Sequence, residues 1–377
     1  MILLEHGPDG KAALFDGAQE VIVAWSAEQV TPALARLDAL RRQGRFLAGY
    51  VNYEAGYALE PRLLPLMPST DGPLLAMAVY DEPQDATGVL AQAKAEAAEI
   101  GFDPPVPVIA RAAYGAAFRR VKDYIAAGDC YQVNLTFPMQ ARLLAGSGLG
   151  LYGALVARQA VGFGALVDLG VGPVLVSRSP ELFLRLDASG RIEARPMKGT
   201  APRDSDPVRD AELAAELRES AKGRAENLMI VDLLRNDIAR IARIGSVRVP
   251  ELFAVESYAT LHQMVSRVVG QLAEPASLSG LMTALFPCGS ITGAPKIRAM
   301  QIIREVEPDA RGAYCGAIGW MGPDGSACFN VAIRTLSVWP DGRVRLNVGG
   351  GIVQDSEEES EWQEALWKAR YAIGLRQ

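Results

Sequence analysis

At 377 residues, with 49% hydrophobic and 22% charged side chains, the chain lies far from the low-hydropathy, high-charge composition of disordered polypeptides. Its formal net charge of -6 at pH 7, with no basic block, argues against nucleic acid as a partner, since phosphate contacts need cations concentrated on one face. Apolar runs stay short of the roughly 20 residues that span a membrane, MILLEHGPDG lacks the basic region of a secretory signal, and four scattered cysteines with two histidines offer no zinc spacing, so a cytoplasmic protein with reduced thiols is expected.

The length accommodates two domains or one large α+β domain. Residues 1–80 mix alternating runs, EVIVAW and LLAMAVY, with a helix near AEQVTPALARLDALRRQ. From Asp81 to Pro107 alanine, acids and proline dominate, the composition of a surface helix and an extended connector. The boundary between an N-terminal lobe (1–105), integrated with the main fold, and a catalytic region (106–377) is placed there. A helix follows over YGAAFRRVKDYIAAG, then strands at CYQVNLTFPMQARL, FGALVDLG, GPVLVSR and ELFLRL. A long helix is expected from about Asp210 to Ile244 with a break at Gly223. Strands near AYCGAIGWMG, ACFNVAIRTLSVW and RVRLNVGGGIV precede a C-terminal helix. Meandering strands without strict βαβ alternation predict an α+β fold with mostly antiparallel sheet.

Four segments carry candidate chemistry. In AENLMIVDLLRNDIARIAR, Glu226 sits at the edge of the stripe Ile230, Leu234, Ile238, Ile241. A carboxylate buried there needs a positive partner; the alternative is a first-turn acid helped by the helix dipole. In the C-terminal helix Glu361, Glu364 and Lys368 share a face, which alone reads as solvated. The preceding NVGGGIV permits close backbone approach, and glycines followed by two carboxylates suggest a hard cation such as magnesium. PCGSITGAPKIRAM fails the phosphate-loop pattern, but a helix beginning near Pro295 could present N–H groups to a carboxylate, or be an ordinary helix start. In RPMKGTAPR, Lys198 reads by residue type as a solvated loop lysine. If the segment lines a cleft, Arg195 and Arg203 would depress its pKa by like-charge repulsion, burial would add to this, and a nucleophile would result.

Together GDCYQVNL, SPELF, RPMKGTAPR, AENLMIVDLLRND, GSITGAPK, RGAYCGAIGW and GGGIVQDSEEESEWQEALWKA, in this order, resemble the chorismate-utilising enzymes, over roughly Tyr114 to Lys368 and weakly near residue 50. The resemblance implies a two-lobed α+β sandwich with magnesium and chorismate at its centre. It implies that Glu226 and Glu364 hold magnesium, with Glu361 acting behind them or through water. Tyr314, Arg334 and the backbone of Gly349, Gly350 and Gly351 would hold the enolpyruvyl carboxylate, and Thr200, Thr292 and Lys368 would line the same pocket. Relatives that add water carry a lysine at the position of Gln132, which is no base and is expected only to contact substrate.

Similar anthranilate synthases carry alanine at the position of Lys198, whereas the aminodeoxychorismate synthases carry lysine in PIKGT; here the motif reads PMKGT. The resemblance therefore points to that branch. It implies magnesium-dependent amination of chorismate to 4-amino-4-deoxychorismate, toward 4-aminobenzoate and folate, with Lys198 as covalent nucleophile and Glu181 as the acid on the departing hydroxyl. An anthranilate synthase component I and a non-catalytic chorismate-binding subunit are the alternatives. His262 matches a histidine that anthranilate synthases use around pyruvate elimination and is expected in the pocket. Met197 replaces the commoner isoleucine, and Gly223 stands where similar enzymes often carry an acid. Nothing resembles a glutaminase, so ammonia is expected from solution or from a glutamine amidotransferase subunit. ILLE only faintly resembles a tryptophan-binding segment, and no feedback inhibition is inferred.

Overall fold

A computed structural model of the chain describes residues 1–258 and 261–375. Two large sheets, of 11 and 10 strands among the described residues, form its centre, and their strand pairs are antiparallel. The first sheet runs, in spatial order, through Gly293–Ala294, Gln132–Ala145, Arg343–Ile352, Thr335–Val338, Val174–Ser179, Phe163–Val167, Ile2–Leu4 and Ala13–Phe15 to Gln84–Asp85. The second runs through Met197–Pro202, Leu261–Gln271, Arg191–Ala194, Leu182–Leu186, Ala327–Val331, Ala317–Met321, Phe46–Val51 and Leu75–Tyr80 to Glu20–Ala24. Strands from the first 80 residues thus pair with strands beyond residue 160 in both sheets.

Between the inner faces lies a buried cluster that includes Ile2, Phe15, Tyr50, Leu175 and Trp320. The outer face of the first sheet packs, through Phe137, Val348 and Leu346, on helices that include Arg111–Ala126, Gly148–Arg158 and Glu358–Lys368. The outer face of the second packs on Ala27–Arg42, Ala221–Ala239 and Leu278–Leu285. The result is a helix–sheet–sheet–helix sandwich, as alternating amphipathic strands and one-sided helices require.

Two runs expected as continuous or neighbouring strands instead change sheets. Val174–Ser179 belongs to the first sheet and Leu182–Leu186 to the second. ACFNVAIRTLSVW likewise divides into Ala327–Val331 in the second and Thr335–Val338 in the first, turning at Arg334, whose φ is 50°. The crossings are fastened together: Ser179 Oγ donates to the Val331 carbonyl at 2.6 Å and Val331 N–H to the Glu181 carbonyl at 3.0 Å. Glu181 and Arg334 are therefore brought to one corner of the sandwich.

The long helix also divides, into Pro207–Glu219 and Ala221–Ala239, at Ser220 and not at Gly223. Ser220 Oγ accepts the Gly223 N–H at 3.1 Å and caps the second helix, a role serine fills because its oxygen reaches an otherwise unpaired first-turn donor. Strands Arg248–Ser257 and Leu261–Gln271 were not expected from the sequence; the second joins both the lysine-bearing strand and Arg191–Ala194.

Candidate active site

Lys198 lies on the strand Met197–Pro202, not in a solvated loop. The register against Leu261–Gln271 slips between Met197 and Thr200, so an extra residue is accommodated there. Gly199 takes φ +84°, which only glycine adopts without strain, and such a bulge re-aims the neighbouring side chain. Lys198 is turned into a cavity of about 640 Å³, where its Nζ donates to the Ser290 carbonyl at 3.3 Å.

Burial holds the Lys198 ammonium below its ordinary pKa; Lys368 adds to the fall, while Glu181, Glu226 and Glu364 oppose it. Of the expected causes burial acts, and the two arginines do not. Arg195 pairs with Glu256, and Arg203 with Asp210 at 2.8 Å, so neither drives the shift. Their charges are taken up by those carboxylates, and desolvation lowers Lys198.

Glu181, at the sheet crossing, is 6% exposed and lines the same cavity. Burial raises its carboxyl, against the Ser290 side chain and the charges of Lys198, Lys368 and Arg334. Its Oε1 makes no hydrogen bond among the described residues. A carboxyl that tends to keep its proton thus faces an amine that tends to lose one, the separation of roles that general acid and nucleophile need.

Beyond this pair the cavity is bounded by the glycine strand Arg343–Ile352 and the helix Glu358–Lys368. A Cβ on Gly350 would stand 3.2 Å from Glu361 Oε2, 3.4 Å from Lys368 Nζ and 3.7 Å from Glu364 Oε1, so glycine is what leaves space there. Lys368 Nζ bonds the Gly349 carbonyl and Glu364 Oε1, each at 2.8 Å. Glu226 enters from the helix Ala221–Ala239, with Lys222 Nζ at 3.9 Å. Burial raises Glu226 and Glu361; it works the same way on Glu364, but Lys368, Lys198 and Lys222 bring that group below its ordinary value.

Among the described residues no three His, Cys, Asp or Glu side chains are grouped closely enough to ligate one ion. A cation here would take one or two of these carboxylates and complete its shell with water and substrate oxygens, as magnesium does. All-oxygen donors whose negative charge is resisted by burial suit such an ion.

Arg334, Tyr314, Asn134 and Tyr371 also line the cavity. Burial lowers the Arg334 guanidinium from its ordinary value, Tyr371 and Glu181 opposing, and raises the Tyr314 hydroxyl well above its own. Thr200 reaches the cavity with its Oγ1 on Gln263 at 3.2 Å.

Three expected pocket residues do not line the cavity. His262 is 1% exposed; its ring nitrogens meet Ser257 Oγ at 2.8 Å and Asp210 Oδ1 at 2.9 Å, away from the lining. Thr292 is 0% exposed and donates to the carbonyls of Cys288 and Gly289, both at 3.2 Å. Gln132 packs behind the glycine strand, 2.9 Å from where a Gly351 Cβ would stand. The helix start at Pro295 also lies outside the lining, whereas Ser290 and Ile291 of the same segment are inside. Ser290, Asn134, Lys222 and Tyr371 escaped the sequence reading; the only available signals were Ser290 within GSITG and Asn134 within CYQVNL.

The family model for chorismate binding enzymes matches residues 1–374, well beyond the region where the motifs lie. Aminodeoxychorismate synthase component 1 of Escherichia coli (strain K12) is 49% identical over 260 residues, 68% of this chain and 56% of the relative. Anthranilate synthase component 1 of Streptomyces coelicolor is 42% identical over 256 residues, 67% of this chain and 48% of the relative. The chain spans about half the length of these curated relatives. Anthranilate synthase component I from Streptococcus pneumoniae TIGR4 shares the fold with a TM-score of 0.80 at 24% identity, over 97% of this chain and 92% of that one. With a sandwich of this form and a match over almost its whole length, the chain belongs to the chorismate-binding enzyme family.

Proposed function

We propose that the chain aminates chorismate to 4-amino-4-deoxychorismate, as the synthase component of an aminodeoxychorismate synthase. The carrying observation is the pairing, in one cavity, of a lysine whose charge burial disfavours with a carboxyl whose proton burial retains. Anthranilate formation needs no such nucleophile.

Lys198, as the free amine, bonds C2 of the chorismate ring. Both ring double bonds shift, C1=C2 to C1=C6 and C5=C6 to C4=C5, the C4–O bond breaks, and the Glu181 proton leaves with the hydroxyl as water. Lys198 then departs from C2 as the neutral amine while ammonia bonds C4 and both double bonds shift back, which leaves the new C4 nitrogen cationic. The proton that nitrogen sheds returns to the Glu181 carboxylate. Ser290 steers both partners, its carbonyl accepting from Lys198 and its side chain meeting Glu181. Arg334 and Tyr314 bind and orient a substrate carboxylate. Glu226 and Glu364, with Glu361 nearby, would hold magnesium, which when bound neutralises a second carboxylate of the substrate.

Ammonia comes, in this reading, from a glutamine amidotransferase subunit, and the product feeds 4-aminobenzoate synthesis in the cytoplasm. All four cysteines are buried, and among the described residues neither histidine's hydrogen bonds reach a cysteine, so no glutaminase pair is formed. The test is product identity. Protein, chorismate, magnesium and concentrated ammonium at mildly alkaline pH should yield an aminated chorismate without pyruvate, converted to 4-aminobenzoate by added lyase. Anthranilate with pyruvate would replace this reading with the lyase one, and no turnover would leave a binding subunit.

A further inference from the structure

Outside the cavity lining stands a buried charge cluster that the proposed chemistry does not use. Arg311, in the RGAYCG turn, is 3% exposed, and it is flanked by Glu307, 7% exposed, and Glu54, 1% exposed. Its guanidinium grips Glu307 in a fork, Nε to Oε2 at 2.9 Å and Nη2 to Oε1 at 2.7 Å. The same group donates Nη1 to the Ile291 carbonyl at 3.1 Å and Nη2 to the Asn134 carbonyl at 2.6 Å. Glu54 takes the backbone N–H groups of Arg311 and Gly312, at 2.6 and 3.1 Å, and the Tyr53 ring covers the guanidinium at 4.6 Å.

Both carbonyls it holds belong to residues that line the catalytic cavity. Asn134 lines the cavity from the first sheet, and Ile291 follows Ser290, the residue in contact with both Lys198 and Glu181. Tyr314 lies three residues beyond Arg311. One planar, five-donor side chain thus ties three segments together around the lysine, two of which also meet where the Asn134 N–H donates to the Thr292 carbonyl at 2.8 Å.

We propose that Arg311, fixed by Glu54 and Glu307, is a positioning residue that sets the Ser290–Ile291 turn, and through it Lys198 and Glu181, at reacting geometry. This rests on the amination reading above. Among the described residues Arg334 and Lys368 make no hydrogen bond to Arg311, so loss of the clamp disturbs the reacting pair more than substrate capture.

The test is the double variant Glu307→Gln/Arg311→Met, which removes both charges of the forked pair together, so neither is left buried without the other. A misplacement near 1 Å at reacting groups costs about 10²-fold. The variant is therefore expected to keep the wild-type circular dichroism, lose about 10²-fold in kcat with ammonia, and change KM for chorismate less than about threefold. Faster amide exchange at residues 289–292 should accompany the loss, without substrate present. Unchanged kcat in the folded double variant, or unchanged exchange, overturns the proposal. If the double variant does not fold, Arg311→Lys carries the test: it keeps the charge beside Glu307 but cannot span both carbonyls, so kcat falls while KM holds. A loss carried by a rise in KM with kcat unchanged, or normal exchange at residues 289–292, overturns it there. A wild type that makes no aminated product defeats the amination reading alone, since the exchange result reads the clamp independently.

Discussion

Replacing Glu54 by glutamine tests the electrostatics of the core directly. The carboxyl is 1% exposed, and burial pushes it from 4.5 up to about 7, although the N–H groups of Arg311 and Gly312 and the Arg311 charge pull the other way. Between those two pH values the folded chain keeps a proton on Glu54 that the unfolded chain has released. Stability from this group is therefore complete below pH 4.5 and is lost as pH rises through about 7. At about 1.4 kcal/mol per pH unit the window is worth about 3 kcal/mol. Glutamine resembles the protonated acid and cannot ionise, so Glu54→Gln should lose that slope. Urea unfolding followed by tryptophan fluorescence, for both proteins from pH 4.5 to 8, measures it, because other titrations cancel in the difference. Parallel stability curves for wild type and variant would refute the reasoning, since Glu54 would then be titrating alike in the folded and unfolded chains.

The reacting pair gives a second prediction. Because burial lowers Lys198 and raises Glu181, kcat/KM should rise with pH as the amine loses its proton and fall as the carboxyl loses its own, a bell. Glu181→Gln should remove the limb belonging to the acid and lower kcat by about 10²-fold to 10⁴-fold. Lys198→Ala should abolish aminated product while chorismate still binds, and turnover at the wild-type rate would sink the nucleophile assignment. Gly350→Val would place methyl groups between Glu361, Lys368 and Glu364, and titration calorimetry should then show magnesium bound about 10-fold more weakly.

The helix Ala27–Arg42 was legible because its apolar residues recur at helical spacing and Ser26 with Gln29 forms a capping box. The C-terminal helix was legible in the same way, and the face carrying Glu361, Glu364 and Lys368 followed from its spacing. The long helix was misread at its break, since Gly223 looked like the interruption and the capping oxygen of Ser220 left no periodic mark. The strand Met197–Pro202 was hidden because its proline and glycine belong to an edge with a bulge, which in sequence looks like a turn.

What the sequence determined by itself was the local grammar of the elements, the residue types able to do the chemistry, and the order of motifs that marks the family. Those properties depend on neighbours within a turn of helix or a pleat of strand. The tertiary structure alone decided which charges meet. Arg195 and Arg203 go to Glu256 and Asp210, His262 turns to Ser257 and Asp210, and Lys198 finds Ser290, 92 residues away. The crossings that bring Glu181 to Arg334, and the Arg311 clamp joining Asn134 to Ile291, likewise depend on distant segments. Burial, which moves the Lys198 and Glu181 protons in opposite directions, is a property of the closed sandwich, and no residue's sequence neighbours can supply it.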